Sequence, residues 1–205
     1  MDKITYKTIK ENTQFEIDKI KGSRFIGSIY KVSSKEEAEQ ELGAIRKKNY
    51  NATHNCFAYI VSSEKGQITR YSDDGEPSGT AGKPIMNVLE FSGISNVLLV
   101  VTRYYGGTKL GTGGLARAYS GAAKEIISYS NVIDVEIKKE LEFNYNYDNT
   151  SMVMSLINRY EAHIVEEKYS NNANMRIKIN KGFKQNFVEE IFDKSNGKIK
   201  VTEVN

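Results

Sequence analysis

The chain has 205 residues, 39% hydrophobic and 27% charged, with a formal net charge of +3 and two prolines. This suits one large or two small globular domains and excludes a long Pro-rich linker, while the net charge is too small to establish a polyanion partner by itself. No apolar run approaches the roughly 20 residues that span a bilayer, the N-terminus lacks a basic-then-apolar signal pattern, and a single cysteine, Cys56, excludes an internal disulfide. A cytoplasmic protein with no membrane partner is the expectation, with a monomer favoured and the oligomeric state left open by the sequence.

In chain order, Phe15 to Val32 alternates apolar and polar residues around Lys21-Gly22-Ser23, predicting two strands and a turn. Ser34 and Glu37 have the spacing of a capping box at the start of a helix that buries Ala38, Leu42 and Ile45. Asn55 to Val61 and Gln67 to Ser72 predict a hairpin turned at Glu64-Lys65-Gly66. The stretch from Asp73 to Gly82 has no period and is rich in turn residues, so it is a loop. Pro84 suits the first turn of a helix reaching about Phe91, and Val97 to Val101 reads as a strand buried on both faces. A glycine-rich stretch, Gly106 to Gly114, leads into a helix carrying Ala118, Ala122, Ala123, Ile126 and Ile127.

Beyond Asn131 the pattern restarts. A strand at Ile137 to Tyr145 is followed by a helix at Met152 to Tyr160. A hairpin of Ile164 to Tyr169 with Met175 to Ile179 comes next, then a helix at Phe183 to Phe192 and a strand at Lys198 to Val204. The order βαββαβ is the ferredoxin-like signature. The predicted domains are residues 1–134 and 138–205.

The densest chemistry lies between Arg103 and Leu115. Gly106, Gly107, Gly111, Gly113 and Gly114 free the backbone for positive φ or close approach, and their amides, with a helix N-terminus, suit an anion. Arg103, Lys109 and Arg117 add charge, and no Asp or Glu interrupts Arg103 to Lys124. Tyr104 and Tyr105 offer faces for stacking on bases. The competing reading is a tight structural connection whose tyrosines belong to the core. Gly111-Thr112-Gly113-Gly114-Leu115-Ala116 has dinucleotide-fingerprint spacing but stands too far from its strand. A phosphate-binding P-loop also fails, because Thr112-Gly113 stands where Lys-Ser/Thr is required.

Just upstream, Asp73, Asp74 and Glu76 form an acidic counterpart. Their carboxylates could hold Mg²⁺, but capping of helices or pairing with arginines is the favoured reading. A contact role for this loop, with Ser78 and Thr80 in it and Lys83 and His54 at its rim, is the alternative to a metal role. His54 and Cys56 share a strand face, but a cysteine in Cys56-Phe57-Ala58-Tyr59-Ile60 reads as a buried small hydrophobe rather than a nucleophile. No cofactor, metal ion or catalytic residue is expected.

Val100-Val101-Thr102-Arg103-Tyr104-Tyr105-Gly106-Gly107-Thr108-Lys109-Leu110-Gly111 resembles the signature of the YigZ/IMPACT family (UPF0029), bacterial two-domain type. Asp73 to Gly82 resembles its second hallmark, and Lys21 to Phe25 and Ala52 to Cys56 fit its early motifs. The resemblance implies an α+β chain: a ribosomal protein S5 domain 2-like N-terminal domain, then a ferredoxin-like domain similar to domain V of elongation factor G. It also implies a part in regulation of translation, with RNA, the ribosome or translation factors as partners. Two functions stay open, with a protein-protein adaptor as a weaker third. One is a non-catalytic nucleic-acid- or ribosome-associated protein. The other is a small-molecule enzyme with its site between the Asp73–Gly82 and Arg103–Gly114 loops. From Lys138 onward, 11 Lys/Arg face 10 Asp/Glu with no cluster of aromatic and basic residues, so that domain gives neither function support.

Overall fold

A computed structural model describes residues 2–63 and 66–204, so the predicted turn at Glu64-Lys65 lies outside the described residues. In chain order the elements are β1 (Thr5–Ile9), β2 (Thr13–Ile20), β3 (Ser23–Lys31), α1 (Lys35–Lys48), β4 (His54–Ser63), β5 (Gly66–Ser72), α2 (Gly82–Ser92), β6 (Val97–Tyr104) and α3 (Thr112–Tyr129). Then follow β7 (Val132–Glu136), β8 (Lys138–Tyr145), α4 (Thr150–Arg159), β9 (His163–Tyr169), β10 (Ala173–Asn180), α5 (Lys184–Lys194) and β11 (Val201–Val204). The architecture is mixed α+β in two compact units. One unit is Lys7–Asp134. The other runs from Val135 onward and takes in the residues before Lys7, which a linear boundary near residue 134 assigns to the first.

The first unit is built on a five-stranded antiparallel sheet of order β2-β3-β6-β4-β5. β6 lies at its centre, and its run Val97-Leu98-Leu99-Val100-Val101 is buried throughout. Alternate residues of β6 enter two different cores, which is why the strand is apolar on both sides. Val97, Leu99 and Val101 pack with α2 and α3 residues such as Ile85, Leu89, Tyr119 and Ile126. Leu98 and Val100 pack with Leu42 and Ile45 of α1 on the opposite face. The α1 cap differs slightly from the expected box. Ser34 Oγ accepts from the Glu37 amide at 3.1 Å, but the Glu37 carboxylate accepts from the amide of Ser33, one residue before the cap.

The second unit alternates β8-α4-β9-β10-α5-β11, with an antiparallel sheet of order β11-β8-β10-β9. Its core joins Leu141 and Phe143 of β8, Ile177 and Ile179 of β10, Val153 and Ile157 of α4, and Phe187 and Ile191 of α5. The opposite sheet face is charged and internally paired, Lys178 with Glu140 and Arg176 with Glu166. In the same unit Asn180 accepts from the Ile4 amide at 2.9 Å and donates back to its carbonyl. The short strands β1 and β7 form a two-stranded sheet that the sequence pattern did not indicate. Among the described residues no helix is long and apolar enough to cross a membrane.

Candidate functional site

The β6 strand runs past Val101 to Tyr104, so Arg103 is a strand residue flanked by Phe25 of β3 and His54 of β4. Its guanidinium is therefore buried, not displayed on a loop as the sequence reading expects. A buried cation requires an anion, and Glu76 supplies it. Arg103 Nη1 donates to Glu76 Oε1 at 2.6 Å, with the two side chains only 6% and 4% exposed. The Tyr119 hydroxyl of α3 donates to the same oxygen at 2.7 Å. His54 Nε2 lies 3.8 Å from the other Glu76 oxygen, and its Nδ1 donates to the Asp74 carbonyl at 2.8 Å. Arg103 Nη2 donates to Ser23 Oγ, and the guanidinium lies between the rings of Phe25 and Tyr105, 5.6 and 5.4 Å from their centroids. Arg103 Nε is buried and, among the described residues, has no hydrogen-bond partner.

The other acids of the loop are also committed. Asp73 caps α2 from a distance: its Oδ1 accepts from the amides of Ala81 and Gly82 at 2.9 and 2.8 Å, and its Oδ2 from Gly79 at 2.9 Å. Asp74 accepts from Arg46 at 2.6 Å and from the Asn55 amide at 2.7 Å. These are the capping and arginine-pairing roles favoured over a metal role. Cys56 is fully buried, its thiol donating to the Asp73 carbonyl at 3.0 Å, and burial pushes that thiol up to about 12. Burial, with Cys56 and Glu76 alongside, likewise raises the Tyr119 hydroxyl.

After β6 the chain must turn sharply to enter α3. Gly106 passes so close to the β2–β3 turn that an added Cβ would stand 1.9 Å from the carbonyl carbon of Gly22. Gly111, with φ 74°, precedes Thr112, the first helical residue, so Gly113 and Gly114 belong to the first turn of α3 rather than to the loop. Among the described residues no side chain caps this end, which leaves its amides free to face an anion. Here a recess of about 450 Å³ opens, lined by Glu76, Pro77, Arg103, Tyr105, Lys109 and Gly111, with Leu110, Thr112 and Leu115 behind. Lys109 is exposed, and Tyr105 is 47% exposed.

The remaining candidates scatter. Tyr104 turns away, its hydroxyl on Asn49 and Asn51 and its ring under Arg24. Arg117 sits on the outer face of α3, Lys83 lies over the Tyr71 ring, Gly107 and Ser78 are exposed, and the Thr80 hydroxyl donates to the Pro77 carbonyl. The sequence reading missed Tyr119 and Ser23. A tyrosine on the buried stripe of α3 is itself a signal, since a buried hydroxyl demands a polar partner.

Residues 21–127, which carry every side chain of this site, match the Impact N-terminal domain. The chain belongs to the IMPACT family. It is 35% identical to the IMPACT family member YvyE of Bacillus subtilis, over 97% of this chain and 91% of that protein. It is 30% identical to the IMPACT family member YigZ of Escherichia coli, over 90% of this chain and 91% of that one. A crystal structure described as that of a hypothetical protein aligns with a TM-score of 0.69 at 27% identity, covering 100% of this chain and 99% of the other.

Proposed function

We propose that this chain is a non-catalytic, cytoplasmic protein of translational regulation, and that the recess at the start of α3 receives a phosphate group of RNA. The observation that carries the reading is the set of donors at one opening: the uncapped amides at the start of α3 and the exposed Lys109, in a recess that the Arg103 side chain also lines. Tyr105 beside them provides a ring on which a base can stack. Glu76 is occupied by Arg103 and Tyr119, and Asp73 and Asp74 by backbone and Arg46, so the acidic loop shapes the rim instead of offering a free base. The same reading takes the Lys7–Asp134 unit as ribosomal protein S5 domain 2-like, and the βαββαβ unit as ferredoxin-like, in the manner of domain V of elongation factor G.

Fluorescence polarisation with a labelled single-stranded RNA tests it. Binding is expected at low salt, falling as salt rises. Lys109→Glu and Tyr105→Ala should each weaken it about tenfold, by loss of a phosphate contact and of a stacking face. Absence of binding near ~50 mM salt, or binding indifferent to Lys109→Glu, overturns it. A second reading, a small-molecule enzyme in the same recess, is favoured by one observation: its volume of about 450 Å³ lies in the range of small-ligand sites. Thermal-shift screening against phosphorylated metabolites distinguishes the two, since only the enzyme reading expects a small ligand to stabilise the protein while RNA does not bind.

A further inference from the structure

α2 and α3 leave a second groove of about 730 Å³ between them, and none of its lining residues belongs to the Asp73–Gly82 or Arg103–Gly114 segments. α2 presents Pro84, Val88 and Phe91 to it, one helical stripe. α3 contributes Ala116 and Ile127. Phe91 is 95% exposed at the lip. A lone exposed phenylalanine would need no explanation, but one in line with half-buried Val88 and Ile127 makes a contiguous apolar surface.

The charges around it are one-sided. α2 and α3 together carry Lys83, Glu90, Arg117, Lys124 and Glu125. Of these, only Arg117 and Lys124 line the groove. Both are exposed, and among the described residues neither has an ion-pair partner. They stand seven residues apart on α3, which is two turns or about 10 Å.

We propose that this groove docks an acidic amphipathic helix of a partner protein. Its apolar stripe covers Val88, Phe91 and Ile127, and two of its carboxylates, about two turns apart, face Arg117 and Lys124. The length of α2, 11 residues, sets a matching footprint of about three turns. RNA fits this surface less well than the recess, because its walls are apolar and its cations sit on one side only.

The test is a display library of 16-residue amphipathic helices selected against the full chain, with affinities then measured by fluorescence polarisation on synthetic peptides. Enriched peptides should combine an i, i+3, i+7 apolar stripe with Asp or Glu about two turns apart. Phe91→Ala should weaken them about tenfold, as for a central aromatic anchor. Arg117→Glu/Lys124→Glu should weaken them comparably and should bind instead a peptide whose acids are replaced by Lys. All three positions are exposed or half-exposed surface, so circular dichroism should show unchanged folding. Selection of peptides without acidic residues, or of peptides indifferent to both variants, overturns the proposal. So does a self-association of the chain in sedimentation that Phe91→Ala abolishes, which would assign the groove to a second copy. RNA binding that is lost on Arg117→Glu/Lys124→Glu and kept on Phe91→Ala would assign it to nucleic acid and equally refute the proposal.

Discussion

Replacing Arg103 by Ala strips Glu76 of its counter-ion inside the sheet. The pair spans 2.6 Å with both side chains over nine-tenths buried, so Glu76 loses its counter-ion in a largely desolvated position. Breaking such a pair by removing one partner costs about 3–5 kcal/mol. Against a total stability on the order of 5–15 kcal/mol for a domain, that is about a fifth or more. With a urea slope of about 1–3 kcal/mol/M, the midpoint of the Lys7–Asp134 unit should fall by about 2 M. Tyrosine fluorescence follows the transition, and hydrogen exchange of β3 and β6 amides assigns the loss to this unit. The Arg103→Ala/Glu76→Ala double variant should recover at least about 1 kcal/mol relative to the sum of the single variants, because neither charge is then left alone. An Arg103→Ala loss under about 1 kcal/mol, or strict additivity in the cycle, refutes the reasoning. The same result bears on RNA assays: Arg103→Ala alters folding as well as the recess, so Lys109→Glu is the cleaner probe.

Gly106→Ala should be severely destabilising, since its Cβ would meet Gly22 and Ser23 backbone at 1.9–2.3 Å, whereas Gly113→Ala meets nothing nearer than 3.9 Å and should gain up to about 1 kcal/mol of helix stability; chemical denaturation compares them. Native Cys56 should resist iodoacetamide at pH 8 and react promptly in urea, because its thiol is buried and raised to about 12; rapid native alkylation, read by mass spectrometry, would count against the placement of Cys56. Glu203 is lowered from 4.5 to about 2, chiefly by hydrogen bonds from Lys139 and Lys184. A depressed carboxylate contributes stability above its unfolded pKa and loses it as pH falls through the folded one. Thermal melting of the second unit should therefore weaken from about pH 4.5 down to about 2, and Glu203→Gln should flatten that fall.

Most helices and strands are legible in the sequence because their apolar periods are local. The exceptions are informative. β1 and β7 pair with each other across more than a hundred intervening residues, and their five-residue lengths carry no turn signal to connect them. Arg103 reads as a surface cation because it precedes a glycine run, yet the apolar run Val97–Val101 already marks a central strand, and two more residues of it bury the guanidinium. Glu76 is legible as an acid seeking a partner. Which arginine it meets depends on the β4–β6 register, a nonlocal property. The recess at α3 is visible in the sequence only as glycine content, since its lining joins Glu76 and Pro77 to residues 103–115, and that meeting is nonlocal.

The grouping of the residues before Lys7 with the second unit has a consequence for biosynthesis. Ile4 emerges 176 residues ahead of Asn180, the side chain that holds its amide and carbonyl. At translation rates of about 5–20 residues per second, that strand end waits on the order of ten seconds for its partner. The Lys7–Asp134 unit can close in that interval. The second unit cannot, since it waits for Asn180, and a segment made well ahead of the rest of that unit is among its last pieces to settle.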